Sequence, residues 1–150
     1  MDAPFFWGQF SVGLDPKNRM LVPAEVRRQI NPELHGKDFF LVVGSNRRPW
    51  LWCDKFYTYL IKQQPSQLAR KSDILDYYRL SLGTAQLVEL DNQNRILIPV
   101  RSMDWTGLQD VKQFYLVGVQ DHLELWQKSD WENERRALHE RAPDLTDRFQ

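Results

Sequence analysis

Apolar positions along the chain cluster in short runs separated by polar turns, with few long helical stripes. Residues 39–44 (FFLVVG) and 114–119 (FYLVGV) are apolar runs of strand length, and each is followed by a turn and a Trp-terminated segment, PWLW at 49–52 and LELW at 123–126. Such runs, bounded by turn residues, predict buried strands. Two further runs, Met20-Leu21-Val22 and Ile96-Leu97-Ile98, follow the polar tetrads DPKN and DNQN and predict a strand leaving a tight turn. Pro23 and Pro99 end these strands and suit the first position of a helix. After Pro23, Val26 and Ile30 lie four apart and give a short helix one apolar face; after Pro99, Ser102 falls where an apolar residue is expected, and Val100 with Met103 is read as the stripe. Asp54 is read as an N-cap for a helix carrying Phe56, Tyr59 and Leu60, Pro65 and Ser66 break it, and residues 68–82 predict a second helix ended by Gly83. Near the C-terminus, Ser129-Asp130-Trp131-Glu132 has the form of a capping box opening a helix to about Ala142, where Pro143 stops it and the last residues, DLTDRFQ, are expected to fray.

These elements occur twice. Residues 14–23 read LDPKNRMLVP and residues 90–99 read LDNQNRILIP, an offset of 76, with Leu14/Leu90, Asp15/Asp91, Asn18/Asn94, Arg19/Arg95, Leu21/Leu97 and Pro23/Pro99 identical. The strand runs, the Trp-terminated strands and the charged, aromatic helices then follow in the same order. A chance decamer match would not carry that succession with it, so the chain is an internal duplication. Each half is too small to bury a core comfortably by itself, and the copies are expected to interlock about a pseudo-two-fold axis.

Composition narrows the function. Of 150 residues, 42% are hydrophobic and 27% charged, the balance of a folded domain, while a net charge of +0 argues against a binder that relies on bulk positive charge and leaves room for a local basic patch. The single cysteine, Cys53, precludes an intrachain disulfide, which suits a reducing cytoplasm, and the N-terminal MDAPFFWGQF lacks the features of a signal peptide. No segment approaches the roughly 20 apolar residues of a membrane span. His35, His122 and His139 show no metal-ligand spacing with one another or with Cys53, and no phosphate loop, nucleophile elbow or zinc-protease motif is present. No enzyme activity, small-molecule substrate, metal or cofactor is therefore expected. His122, Trp52 and Trp126 are read as structural.

The paired decamers, together with YLVGVQDHLELWQKSDWE after the second, resemble the MraZ family of bacterial regulators associated with division and cell-wall gene clusters. The likeness runs from about Trp7 to the C-terminal helix. It rests on two D-x-x-x-R motifs and on the segment VGV-x-D-H-x-E-x-W at 117–126. Each half also resembles the AbrB/SpoVT swapped-hairpin unit. The resemblance implies an α+β, β-rich fold: a pseudo-two-fold double swapped-hairpin barrel with flanking helices. Residues 1–82 would form the first half with its connecting helices and 83–150 the second with a C-terminal helix, the two making one interlocked domain. It also implies a homo-oligomeric ring that binds double-stranded DNA with direct repeats and is cytoplasmic and nucleoid-associated.

Carried over by motif, the DNA-facing positions are Lys17 and Arg19 in the first copy and Gln93 and Arg95 in the second, with Asp15 and Asp91 shaping the loops, since a carboxylate would repel phosphate. Where the family has Gly before the motif Arg, this chain has Asn18 and Asn94; Asn is the side chain that best tolerates positive φ. A guanidinium at a turn can clamp phosphate or a guanine edge. The residues alone leave a second reading open, in which each Arg only braces its turn by pairing with the Asp four residues earlier; the resemblance favours DNA contact. Arg27, Arg28 and Arg101 follow the prolines and can extend a basic patch or simply be solvated, and Arg47-Arg48 is expected to be solvated or intersubunit. Lys17 and Arg27-Arg28 would make the first half the more basic face. A ring-forming interaction protein with weak or no specific DNA binding is the alternative.

Overall fold

A computed structural model describes residues 2–64 and 72–149. In chain order the elements are β1 (Gln9–Gly13), β2 (Arg19–Leu21), α1 (Ala24–Arg28), α2 (Pro32–His35), β3 (Phe39–Val43), β4 (Pro49–Cys53), α3 (Asp54–Lys62), α4 (Ser72–Gly83), β5 (Gln86–Val88), β6 (Arg95–Leu97), α5 (Val100–Trp105), β7 (Gln113–Val119), β8 (His122–Gln127), α6 (Lys128–Glu140) and α7 (Ala142–Arg148). Elements of the two copies recur in the same order, and β2 and β6 lie 76 residues apart, the offset of the decamers.

The fold is α+β, an antiparallel six-stranded sheet of order β1-β7-β8-β4-β3-β5 plus a two-stranded ribbon of β2 with β6. Each copy's first strand lies against the other copy: β1 pairs β7, and β5 pairs β3. The copies also meet at β4 and β8, through Trp50↔Glu124 and Leu51↔Leu123. One core runs through both and includes Phe39, Leu41, Leu51, Met20, Ile96, Phe114, Leu116 and Leu125, all almost fully buried.

The expected closed barrel is not what forms. The large sheet is open, with β1 and β5 as edges. Strands β2 and β6 are three residues long and pair with each other, and an isolated bridge, Leu14↔Met20, ties the ribbon to what precedes it. Pro23 and Pro99 follow within two residues and lack the N–H that a longer ladder would use.

Several local expectations also change. Helix α5 buries Ser102 and Met103 and leaves Val100 61% exposed, so the stripe is not Val100 with Met103. The phase is that of α1, where Val26, 76 residues earlier, is fully buried. Val22 and Ile98, the buried residues just after the two ribbon strands, set that phase ahead of either helix. The Ser102 hydroxyl is left without a hydrogen-bond partner among the described residues. An unsatisfied buried hydroxyl costs about 1–3 kcal/mol. Ser102→Ala should therefore raise the unfolding free energy by on the order of 1 kcal/mol, read as a higher urea midpoint at unchanged slope.

At α3, Cys53 holds the N-cap position and Asp54 the first helical one; Phe56 and Tyr57 are its buried residues, with Tyr59 and Leu60 only half-buried. Helix α4 does end at Gly83, while the expected break at Pro65 and Ser66 and the start of the second helix lie outside the described residues. Helix α6 starts at Lys128 with Gln127 as N-cap and no capping side chain, so no capping box forms at Ser129. Helix α6 ends at Glu140, close to the expected stop, but Pro143 then lies in the first turn of α7, and residues 144–148 of the tail expected to fray are helical. Among the described residues no helix is long and apolar enough to cross a membrane.

The seam between β4 and β8 holds a buried polar cluster. The His122 ring stacks on Trp50 and Trp52, with centroids 4.1 and 4.8 Å away. Its Nδ1 lies 2.9 Å from Asp121 Oδ1 and its Nε2 2.9 Å from Glu124 Oε2. Glu124 Oε1 accepts from Asn46 Nδ2 and Trp126 Nε1. Arg48, expected to be solvated or intersubunit, lies 3.9 Å over the Trp126 ring and 3.7 Å from Asp130 of the same chain. Burial opposes a charged His122, but the hydrogen bonds to Glu124 and Asp121 outweigh it, and the pKa rises above its ordinary 6.5. A raised folded-state pKa contributes stability that is complete below the unfolded value and is lost as pH climbs through the folded one. The urea midpoint should accordingly fall as pH rises above the ordinary 6.5 in the wild type, and this slope should flatten in His122→Gln.

Candidate nucleic-acid interface

The two motif turns are built alike to within a few tenths of an ångström. Asp15 Oδ1 accepts the backbone N–H groups of Lys17 (2.8 Å) and Arg19 (2.9 Å), and Asp91 Oδ1 accepts those of Gln93 (2.8 Å) and Arg95 (2.9 Å). The other carboxylate oxygen takes the arginine Nε, at 2.7 Å for Arg19 and 3.0 Å for Arg95. The backbone closes each loop through Asn18 N–H to Asp15 O and Asn94 N–H to Asp91 O. Asn18 and Asn94 both sit at φ 62°, the left-handed region that Asn accepts more readily than other non-glycine residues. Both carboxyls are held below the ordinary 3.8, first by the backbone N–H of the motif arginine and, against some desolvation, by its side chain and the other N–H. The aspartates therefore stay ionised at any pH near neutrality and keep their arginines oriented.

The arginines pair through Nε, and their two terminal nitrogens have no protein hydrogen bond among the described residues. That edge is the one a guanidinium offers to phosphate or to guanine O6 and N7. Bracing and ligand contact are therefore compatible in one side chain.

The ribbon sets where these groups point. Its register is Arg19↔Leu97, Met20↔Ile96 and Leu21↔Arg95. Met20 and Ile96 are fully buried beneath it, so alternation turns Arg19, Leu21, Arg95 and Leu97 to the outer face. The turns stand at opposite ends, and each is locked to the other copy's strand: Val22 N–H donates to Asn94 O and Ile98 N–H to Asn18 O. Arg19 and Arg95 are diagonal neighbours, their backbones roughly 7–8 Å apart by ordinary sheet geometry.

The flanking residues sort differently from their order in the chain. Lys17 and Gln93 are exposed in their own turns. Arg27, from the first copy, donates through Nε to Val22 O and lines a cleft of about 240 Å³ at the second turn, with Lys37, Leu90 and Asn94. Arg28 and Arg101 are exposed on α1 and α5, and Arg101 lines neither this cleft nor the one at the first turn. The first turn receives Lys112, from the second copy, whose Nζ donates to Asn18 Oδ1 at 2.8 Å. The pairings Val12↔Phe114 and Val88↔Phe39 make Lys112 and Lys37 equivalent, each two residues ahead of the paired phenylalanine. Sequence reasoning missed both lysines, because 94 residues separate Lys112 from Asn18 and no local pattern links them. Basic groups are thus shared between the turns, and the more basic first half expected from the chain order does not appear as one face.

Among the described residues no cluster of His, Cys, Asp or Glu is arranged to hold a metal ion. Cys53 is buried, and desolvation, with the neighbouring Asp54, pushes its thiol up to about 12.

Residues 81–147 match the family described as "MraZ protein, putative antitoxin-like". Proteins called "Transcriptional regulator MraZ" are similar along most of the chain. That of Desulforapulum autotrophicum is 31% identical over 127 residues, covering 85% of this chain and 83% of the relative. Those of Natranaerobius thermophilus and Acetivibrio thermocellus are 30% and 29% identical over 128 residues, covering 85% of both chains in each case. With relatives 30% and 31% identical over 85% of its length, this chain belongs to the MraZ family.

Proposed function

We propose that the chain is a sequence-specific transcriptional regulator that binds double-stranded DNA through the outer face of the β2–β6 ribbon and its two turns. The observation that carries this reading is the pair of arginines, presented side by side on one exposed face and each held by its own aspartate with the terminal nitrogens available. A two-stranded ribbon fits the major groove. Arg19 and Arg95 would contact base edges or phosphates; Lys17 and Gln93 would contact the backbone from the turns, with Arg27 and Arg101 further out. Asp15, Asn18, Asp91 and Asn94 would shape the loops. The relatives' name supports the regulatory role.

We infer as well that residues 1–82 and 83–150 form one interlocked swapped-hairpin unit, supported by the pairing of β1 with β7, β5 with β3 and β2 with β6. One ribbon offers few base contacts. A homo-oligomeric ring on directly repeated sites near division and cell-wall genes would supply affinity through effective concentration, and would place the protein at the nucleoid. The arginines' internal ion pairs and the net charge of +0 favour a second reading, a ring-forming interaction protein with weak DNA binding.

Selection of genomic fragments on the immobilised protein at a stated salt concentration decides between them: enrichment of a repeated sequence is expected, and no enrichment at low salt would overturn the DNA reading. Lys112→Ala should weaken binding at every sequence alike and lower the slope of log affinity against log salt by about 1. An unchanged slope would remove Lys112 from the interface.

A further inference from the structure

We propose that Leu21 and Leu97 read thymine methyl groups and so set part of the sequence preference; the inference rests on the DNA reading above. Both leucines stand on the outer face of the ribbon, and both are 57% exposed. A single exposed leucine is ordinary. Here the same apolar side chain occupies the same position in both copies, two residues beyond the motif arginine. The register also sets each leucine directly across from the other copy's arginine, Leu97 opposite Arg19 and Leu21 opposite Arg95.

The surroundings select the occupant. The apolar pair shares its ribbon with Arg19 and Arg95; the turn at one end adds Lys17 and Lys112, that at the other borders a cleft lined by Arg27 and Lys37, and two of these six cations are paired with Asp15 and Asp91, which leaves the cations in excess. An apolar centre inside a basic frame complements a surface that is anionic at its rims and apolar at points on its floor. The DNA major groove has that character: phosphates line it, and the C5 methyl of thymine is the apolar group its floor displays. Directly opposed residues in an antiparallel pair have Cβ atoms about 4.5–5.5 Å apart. Base pairs rise about 3.4 Å each. A thymine read by a leucine therefore falls within one or two base steps of a guanine read by the arginine across from it. The pseudo-two-fold ribbon offers this combination twice.

The test removes the methyl from the DNA and leaves the protein untouched. A duplex library with a randomised centre is selected on the wild-type protein, and binding to the selected duplex is followed by fluorescence anisotropy at 150 mM salt with each thymine replaced in turn by deoxyuridine. Loss of one buried methyl contact is worth about fourfold in affinity. The expected result is a loss of that size at one or two thymines next to guanine in the wild type, and no loss at the same positions in the Leu21→Ser, Leu97→Ser double variant. A selected sequence without thymine, or a wild type indifferent to every deoxyuridine, overturns the inference while leaving DNA binding intact. So does a double variant that keeps the wild-type methyl sensitivity, or one that changes only the oligomeric state in sedimentation, which would make this face a contact between copies of the chain. A wild type that retains no duplex overturns the DNA reading and this inference together.

Discussion

Replacing Arg19 and Arg95 together by alanine should reduce affinity for the selected DNA on the order of a hundredfold or more, with the fold unchanged. Each bidentate arginine contact in the major groove is worth about 1–3 kcal/mol, and two are lost. The turns themselves should survive, because the bonds that shape them come from backbone groups: Asp15 Oδ1 accepts the N–H of residues 17 and 19, and Asp91 Oδ1 those of 93 and 95, whatever the side chain. What folding loses is a pair of solvent-screened ion pairs, which contribute little to stability. Gel shift at fixed salt, with a thermal melt as the control, separates the two effects. Arg19→Lys with Arg95→Lys adds a finer distinction. It keeps the charge but not the planar fork, so non-specific binding should persist while preference for the selected sequence declines. Undiminished binding by the alanine variant would leave the arginines as braces alone.

Truncation of the core phenylalanines should have the largest effect on stability. Phe114 on β7 and Phe39 on β3 are fully buried and equivalent, one across from Val12 and the other across from Val88. Each sits where a strand of one copy lies on a strand of the other. Phe114→Ala or Phe39→Ala should cost about 3–5 kcal/mol, a large share of the roughly 5–15 kcal/mol that holds a domain folded. In an interlocked unit both variants shift one and the same unfolding transition, since neither half keeps a core when the other opens. Two separable transitions in urea, one moved by each variant, would show two independent halves and overturn the interlocked reading.

The duplication was legible because its signal is local. Turn formers, a β run and a proline fall within ten residues and recur intact, so the turns, the ribbon strands and the motif arginines could be placed without knowing the fold. Trp52 and Trp126 were also read correctly as buried, each closing an apolar strand. Errors gathered where a short pattern has two phases. In α5 a six-residue helix offers Val100 or Ser102 as the inward position, and hydrophobicity picks the wrong one, because the buried Ile98 just after β6 orients the helix before its own composition counts. The C-terminal tail was misread because proline both ends one helix and opens the next, and here it opens α7.

By itself the sequence determined the repeat, the chemistry of the turns and which arginines they carry, since all of these depend on residues within hydrogen-bonding reach along the chain. Only the tertiary structure decided what surrounds them. It paired β2 with β6, so that both arginines and both leucines share one face. It brought Lys112 to Asn18, set Lys37 and Asn94 in one cleft, and laid the His122 ring against both Trp50 and Trp52. It also left the large sheet open, with β1 and β5 as its edges. These outcomes rest on contacts between residues tens of positions apart, where burial and strand register, set by the whole core at once, choose the neighbours.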